Sequence, residues 1–200
     1  MINQDSEPEY SIKLLVLGDL SVGKSSFIYR FIEDKFNADS MTTTGLDLKT
    51  KDLIIDDKKI RIEIWDTAGQ EKFKSITQNL ILRVQGIIIL FDITNKESFN
   101  NLNVWIKTIK EQCGKNFPIL IAGNKTDLEE SRLVNTEEAN IFTNNEKIDY
   151  IEISCKTGEN IKETIDIICK KIIIFLTRKD DMSFSLDSSA LVVTKKKKCC

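Results

Sequence analysis

Gly18-Asp19-Leu20-Ser21-Val22-Gly23-Lys24-Ser25 matches the pattern G-x-x-x-x-G-K-[ST] in full. These residue types point to one chemistry. Glycines let the backbone curl until its N–H groups face the oxygens of a polyphosphate, and a following helix N-terminus adds partial positive charge. Lys24 then reaches the β- and γ-phosphates, the Ser25 hydroxyl binds Mg2+, and Ser26 is the next residue of the cradle. The bland alternative is a chance match in a structural turn, expected in about one chain in a hundred of this length from average residue usage. The motif announces a nucleotide and is silent on its base.

Three further segments supply what this loop lacks. In Trp65-Asp66-Thr67-Ala68-Gly69-Gln70-Glu71, Asp66 offers a carboxylate suited to the outer shell of Mg2+, Gly69 a backbone N–H to the γ-phosphate, and Gln70 an amide that orients an attacking water. Alone, D-x-x-G is a common turn; beside a phosphate loop the turn reading weakens. In Asn124-Lys125-Thr126-Asp127, the Asp127 carboxylate can accept from guanine N1–H and its exocyclic amine, a donor pair that adenine does not present. Such a site rejects the wrong base because its buried polar groups would go unpaired. Asn124 can tie this segment to the phosphate loop, and the Lys125 stem can cover one face of the base. Ser154-Cys155-Lys156 carries backbone N–H groups suited to guanine O6, but is uninformative by itself.

To converge, these segments must sit at the carboxyl ends of neighbouring strands. The apolar run 12–17 reads as a strand before Gly18, and Phe27, Ile28, Phe31 and Ile32 follow at helical spacing. Residues 53–55 and the alternating 60–64 read as two strands around a turn at 56–59. Fully apolar 87–91 and 119–122 suit strands buried on both faces, and 150–153 a last strand. Helices are expected over 96–111, from 136, and over 161–176. This alternation implies an α/β fold: a mostly parallel, six-stranded sheet with helices on both faces. Residues 1–10 are expected to be a flexible N-terminus, 11–178 one domain, and 179–200, rich in Ser, Asp and Lys, a disordered tail.

Composition sets bounds. Two hundred residues at 41% hydrophobic content suffice for one buried core. A net charge of −2 gives no reason to expect nucleic acid as a partner. No histidine is present, which removes the commonest general base, so chemistry must run on backbone, carboxylate, amide, lysine or metal. Five cysteines, an odd and scattered set, do not form a disulfide framework. With no cationic apolar leader and no run long enough to span a bilayer, the chain is expected in the cytosol unless something attaches it to a membrane.

Four motifs in this order and spacing resemble those of the Ras-like small GTPases over about residues 10–178, and within them the Rab subfamily. Thr43-Thr44-Gly45-Leu46-Asp47-Leu48 approximates the Rab element T-I-G-V-D-F, Trp65 to Phe73 reads W-D-T-A-G-Q-E-K-F, and Cys199-Cys200 matches a Rab ending. The segment 129–136 is too short for the Rho insert, Ile2 departs from the N-myristoylated Arf start, and neither a C-a-a-X box nor the acidic end of Ran is present. The resemblance implies a P-loop NTPase G domain that cycles between GTP and GDP with Mg2+, hydrolyses GTP at a slow intrinsic rate, and recruits effectors in its GTP form to regulate vesicle traffic. It implies that Thr43 joins Ser25 and Asp66 around Mg2+ and also meets the γ-phosphate, and that Phe36 lies against the edge of the guanine ring. Implied partners are an exchange factor, a GTPase-activating protein, effectors and an escort or GDI-type chaperone acting on a monomer. Double geranylgeranylation of Cys199 and Cys200, assisted by Lys195–Lys198, would place it on the cytoplasmic face of an intracellular or plasma membrane, with a cytosolic pool. The bland readings of that tail are a solvated charge run, a zinc ligand pair or a cloning remnant.

Three departures from the pattern matter. Leu80-Ile81-Leu82-Arg83-Val84 stands where Rab proteins usually have Y-Y-R-G-A, and Thr44 and Leu48 replace the usual Ile and Phe. Leu20 replaces a small residue at a position where bulk obstructs the catalytic glutamine or an incoming arginine, so slow hydrolysis is expected. The rival readings are a GTPase-shaped scaffold that holds nucleotide without cycling, and a small-molecule P-loop kinase. The kinase has no use for Asn124-Lys125-Thr126-Asp127.

Overall fold

The computed structural model describes residues 7–36, 46–67 and 79–190, with side chains described as far as 178. In chain order the elements are β1 (Tyr10–Leu17), α1 (Lys24–Glu33), β2 (Leu46–Ile55), β3 (Lys58–Thr67), β4 (Gly86–Asp92), α2 (Lys96–Asn100) and α3 (Leu102–Cys113). They continue with β5 (Ile119–Asn124), a 3-10 turn (Thr126–Ser131), α4 (Thr136–Glu146), β6 (Asp149–Ile153) and α5 (Ile161–Ala190). The six strands form one sheet in the order β2-β3-β1-β4-β5-β6. Only β2 runs antiparallel to its neighbour; the other four pairings are parallel.

Side-chain alternation explains the layers. Ile12, Leu14 and Val16 of β1, with Ile88 and Leu90 of β4, face one side and pack with Phe27, Ile28 and Phe31 of α1 and Ile165, Ile168 and Ile172 of α5. Leu15 and Leu17, with Ile87, Ile89 and Phe91, face the other side and meet Leu102, Ile106 and Ile109 of α3 and Ala139 of α4. Strands β4 and β5 are buried along their whole length, as their unbroken apolar runs require. Each such isoleucine or leucine contributes about 1.5–3 kcal/mol by leaving water. The β2–β3 turn places Asp56 and Asp57 at positive φ (48° and 61°), the pair of left-handed residues that a two-residue hairpin takes.

Three elements differ from the sequence expectation. Strand β2 begins at Leu46 rather than at residue 53, because its ladder with β3 continues through polar Asp47 to Asp52. The helix expected over 96–111 is two helices, interrupted at Asn101. Helix α5 runs to Ala190, twelve residues beyond the end of its apolar period, where a disordered tail was expected. Nothing in 179–190 is Gly or Pro, so no residue there breaks a helical backbone. No helix among the described residues is long and apolar enough to cross a membrane.

Candidate functional site

The phosphate-loop pattern leaves β1 at its carboxyl end, at the point where the sheet order turns outward in both directions, a position where open α/β sheets bind ligands. Gly18 has φ 138°, and a Cβ there would overlap the Leu90 carbonyl oxygen of β4. Gly23 has φ 101°, and a Cβ there would overlap the Asn124 amide. The loop is thus wedged between two strands by close approaches that a side chain would prevent. Ser21 also takes a left-handed conformation (φ 62°), which continues the curl. Lys24 is buried, and its Nζ donates to the carbonyls of Gly18 (2.8 Å) and Asp19 (2.7 Å), so the ammonium lies over the mouth of its own loop. Ser25 and Ser26 follow Lys24 in the first turn of α1, whereas the Val22 side chain belongs to the core and leaves only its backbone for a ligand.

Asn124, the last residue of β5, joins two of the segments. Its Nδ2 donates to the Val22 carbonyl (2.8 Å) and its Oδ1 accepts from the Cys155 N–H (3.1 Å). Both bonds are buried, where an unpaired partner would cost about 1–3 kcal/mol. Asp127 follows on the 3-10 turn with its side chain only 12% exposed; its Oδ1 accepts from the Ser154 hydroxyl (2.6 Å), and Lys156 Nζ lies 3.7 Å from its Oδ2. Lys125 adopts a left-handed backbone (φ 75°) and pairs with Asp92 at the end of β4. Asp92 is itself fixed by the Thr94 N–H (2.8 Å) and hydroxyl (2.7 Å).

The structure therefore brings Gly18 to Ser26, Asn124, Lys125, Asp127, Ser154, Cys155 and Lys156 to one end of the sheet. Asp66 is buried next to last in β3, in register with Val16 of β1, so it flanks the same end. Phe36, 40% exposed, lies two residues beyond the Asp34 cap of α1. Thr43, Gly69, Gln70, Cys199 and Cys200 lie outside the described residues. Leu20 is 58% exposed on the rim of the phosphate loop.

The Ser154-Cys155-Lys156 segment uses two of its amides within the protein. The Cys155 N–H is spent on Asn124, and the Ser154 N–H is donated to the Glu159 carbonyl (3.2 Å). Two of the three amides expected to meet the base are thus engaged within the protein. Burial pushes the Cys155 thiol up to about 12, which leaves it a packing group rather than a nucleophile.

Sequence reasoning missed four supporting residues. Asp92 was legible only as the single acid ending an apolar strand. Arg30 of α1 donates to the carbonyls of Cys155 (2.9 Å) and Lys156 (2.5 Å) and so clamps that loop from outside. Arg132 forks onto Glu129 of the 3-10 turn and Glu152 of β6, bracing the elements that carry Asp127 and Ser154. Burial alone pushes the Glu152 carboxyl up, but hydrogen bonds from Arg132, Thr136 and Tyr150 outweigh it and hold the group below its ordinary range. The same pairing, through Glu129 first and Glu152 second, raises the Arg132 guanidinium further.

Known proteins resemble this chain over most of its length. The family model described as Ras family matches residues 13–174. Human "Ras-related protein Rab-3A" is 37% identical over 96% of this chain and 84% of its own length. "GTP-binding protein ypt3" of Schizosaccharomyces pombe is 38% identical over 84% of this chain and 79% of its own length. Mouse "Ras-related protein Rab-3C" is 38% identical over 85% of this chain and 77% of its own length. A phosphate loop bound by a side-chain bridge to an acid-bearing turn, in a chain matched over most of its length, means that this protein belongs to the Ras family of small GTPases, in its Rab subfamily.

Proposed function

We propose that the chain is a GTP/GDP switch whose base specificity resides in Asp127 and whose turnover rests on Gln70. The carrying observation is the Asn124 side chain, which bonds the phosphate loop at Val22 and the base-facing loop at Cys155 at once. Phosphate and guanine are then read by one rigid unit. Ser154 fixes the Asp127 carboxylate with lone pairs left for guanine N1–H and the exocyclic amine. Backbone N–H groups of the Ser154-Cys155-Lys156 segment would meet guanine O6.

The donor set near the phosphates is a hydroxyl, Ser25, and a carboxylate, Asp66, with Thr43 as the expected third member. These hard oxygen groups fit Mg2+, which when bound supplies neutralising charge at the β- and γ-oxygens. Phosphoryl transfer then asks the protein mainly for positioning: Lys24 and the loop amides on the phosphates, Gln70 on the water. Contacts of Thr43 and Gly69 with the γ-phosphate would order two segments together and release them on hydrolysis, which is how effectors tell the two states apart. Regulators of exchange and hydrolysis act on this cycle, and prenylated Cys199 and Cys200 hold the switch at a trafficking membrane. Replacing both with Ser should move the protein from membranes to the soluble fraction; continued membrane partitioning contradicts the anchor.

The deciding test compares GDP and ADP binding in wild type and Asp127→Asn. Wild type should prefer GDP by at least about a hundredfold, and the variant should lose most of that preference. Equal preference in both proteins would remove Asp127 from base recognition.

A further inference from the structure

Asp19 puts a carboxylate inside a loop whose task is to bind phosphate. Left to itself, that group would repel the ligand the backbone attracts. Its side chain is instead held on α3. Oδ2 accepts from Asn101 Nδ2 (2.6 Å) and Oδ1 accepts from Trp105 Nε1 (3.1 Å). Both oxygens are therefore occupied by neutral donors from the first turn of one helix, whose N-terminal end also favours an anion.

Neither donor is accidental to the helix. Asn101 occupies the N-cap position of α3, yet its side chain makes no capping bond there; its amide goes to Asp19. The interruption between α2 and α3 falls at this residue. The Trp105 ring packs against the core cluster on the α3 face of the sheet, so its N–H is aimed from a fixed body. Meanwhile the Asp19 backbone carbonyl accepts from Lys24 Nζ (2.7 Å). One residue thus links the phosphate-binding lysine, through the main chain, to α3, through the side chain. Leu20 and left-handed Ser21 follow directly on the loop's rim.

We infer that Asn101 and Trp105 are positioning residues of the phosphate site: they hold the Asp19 carboxylate against α3 and away from the phosphates of the bound nucleotide. The inference rests on the phosphate-loop reading above. Without the two donors, the carboxylate turns back toward the ligand, and its like charge speeds nucleotide release.

The test is a double-mutant cycle on the full chain, read as the dissociation rate of N-methylanthraniloyl-GDP. With Asp19 present, Asn101→Ala combined with Trp105→Phe should accelerate release about tenfold or more, and the excess should shrink as salt is added and screens the repulsion. In an Asp19→Asn background, the same pair of changes should alter release by less than about twofold, because no charge is freed. Asn101→Ala alone, which leaves the Trp105 ring in the core, should give a smaller acceleration with the same dependence on Asp19 and salt. It keeps the test open if the double variant unfolds. Equal acceleration in both backgrounds, or acceleration indifferent to salt, would show a merely structural role and overturn the inference. So would an unchanged rate with Asp19 present. Failure of the underlying reading looks different: wild type itself would not retain the GDP analogue.

Discussion

Asp127 and Lys125, at the proposed base end of the site, are each held by a side chain from another element, Ser154 and Asp92 respectively. At the proposed phosphate end, the course of Gly18 to Ser25 rests more on main-chain curvature and on two close approaches, of Gly18 to β4 and of Gly23 to Asn124, with side-chain bonds from Asn124, Asn101 and Trp105 added to them. The base end therefore depends on polar atoms being present, and the phosphate end also on carbon atoms being absent at Gly18 and Gly23. On the proposed reading, selectivity would be assembled by hydrogen bonds before any ligand arrives, and the affinity of the phosphate loop would come from a backbone that tolerates no addition. Damage at the two ends should take different forms: deletion at the base end weakens recognition in a folded protein, and addition at the phosphate end strains the fold itself.

The largest expected effect is at Gly18. Alanine there needs both a left-handed backbone and space occupied by the Leu90 carbonyl, so the variant should lose about 3 kcal/mol or more of stability. A melting temperature equal to that of wild type contradicts the wedged loop. Asn124→Ala comes next, since it deletes both bonds joining the two ends and strands buried partners at Val22 and Cys155. GDP affinity should drop about a hundredfold, with a smaller loss of stability than Gly18→Ala causes. If stability falls further than for Gly18→Ala, the contrast between the ends fails. Ser154→Ala removes one donor from Asp127 and should weaken GDP about tenfold while leaving ADP binding unchanged; a parallel loss for both nucleotides places Ser154 in the fold rather than in base recognition. Leu20→Ser alters the exposed rim, not the wedged backbone. Single-turnover GTP hydrolysis should rise about threefold to tenfold with GDP affinity little changed. Equal rates in wild type and Leu20→Ser, both with and without an activating protein, sink the idea that Leu20 crowds Gln70.

The contrast also explains what the sequence made legible. A loop built from backbone demands glycine and a fixed spacing, so Gly18, Gly23, Lys24 and Ser25 stand out as a string of letters. The strands that deliver them are legible too, because β4 and β5, buried on both faces, must be apolar throughout. Supports that work through side chains leave no local pattern. Arg30 and Cys155 are 125 positions apart, and Asp92 and Lys125 meet only because β4 and β5 pair in register. The break at Asn101 was invisible for the same reason, since the apolar spacing of 96–111 continues across it while the partner of Asn101 lies in the phosphate loop. Likewise, the Cys155 amide looks available for a base in one dimension and is found bonded to Asn124 in three.

The smallest expected effect lies behind the base end, at Glu152. Its carboxyl titrates below the ordinary value of 4.5: burial opposes the charge, but Arg132, Thr136 and Tyr150 more than compensate. A group depressed in the folded state contributes stability that is present above its unfolded pKa and is lost as pH falls through the folded pKa. At neutral pH, Glu152→Gln should therefore cost about 1 kcal/mol, a modest amount because Arg132 keeps Glu129 as a partner. As pH falls below the ordinary carboxylate range and through the lowered folded value, wild type should lose this increment and the two melting temperatures should converge. The phosphate end provides the control: Gly18→Ala adds only a methyl group, so its stability deficit should persist across the same range. If the Glu152→Gln gap instead stays constant with pH, the braced carboxylate contributes through shape alone, and the base end is held by packing as the phosphate end is.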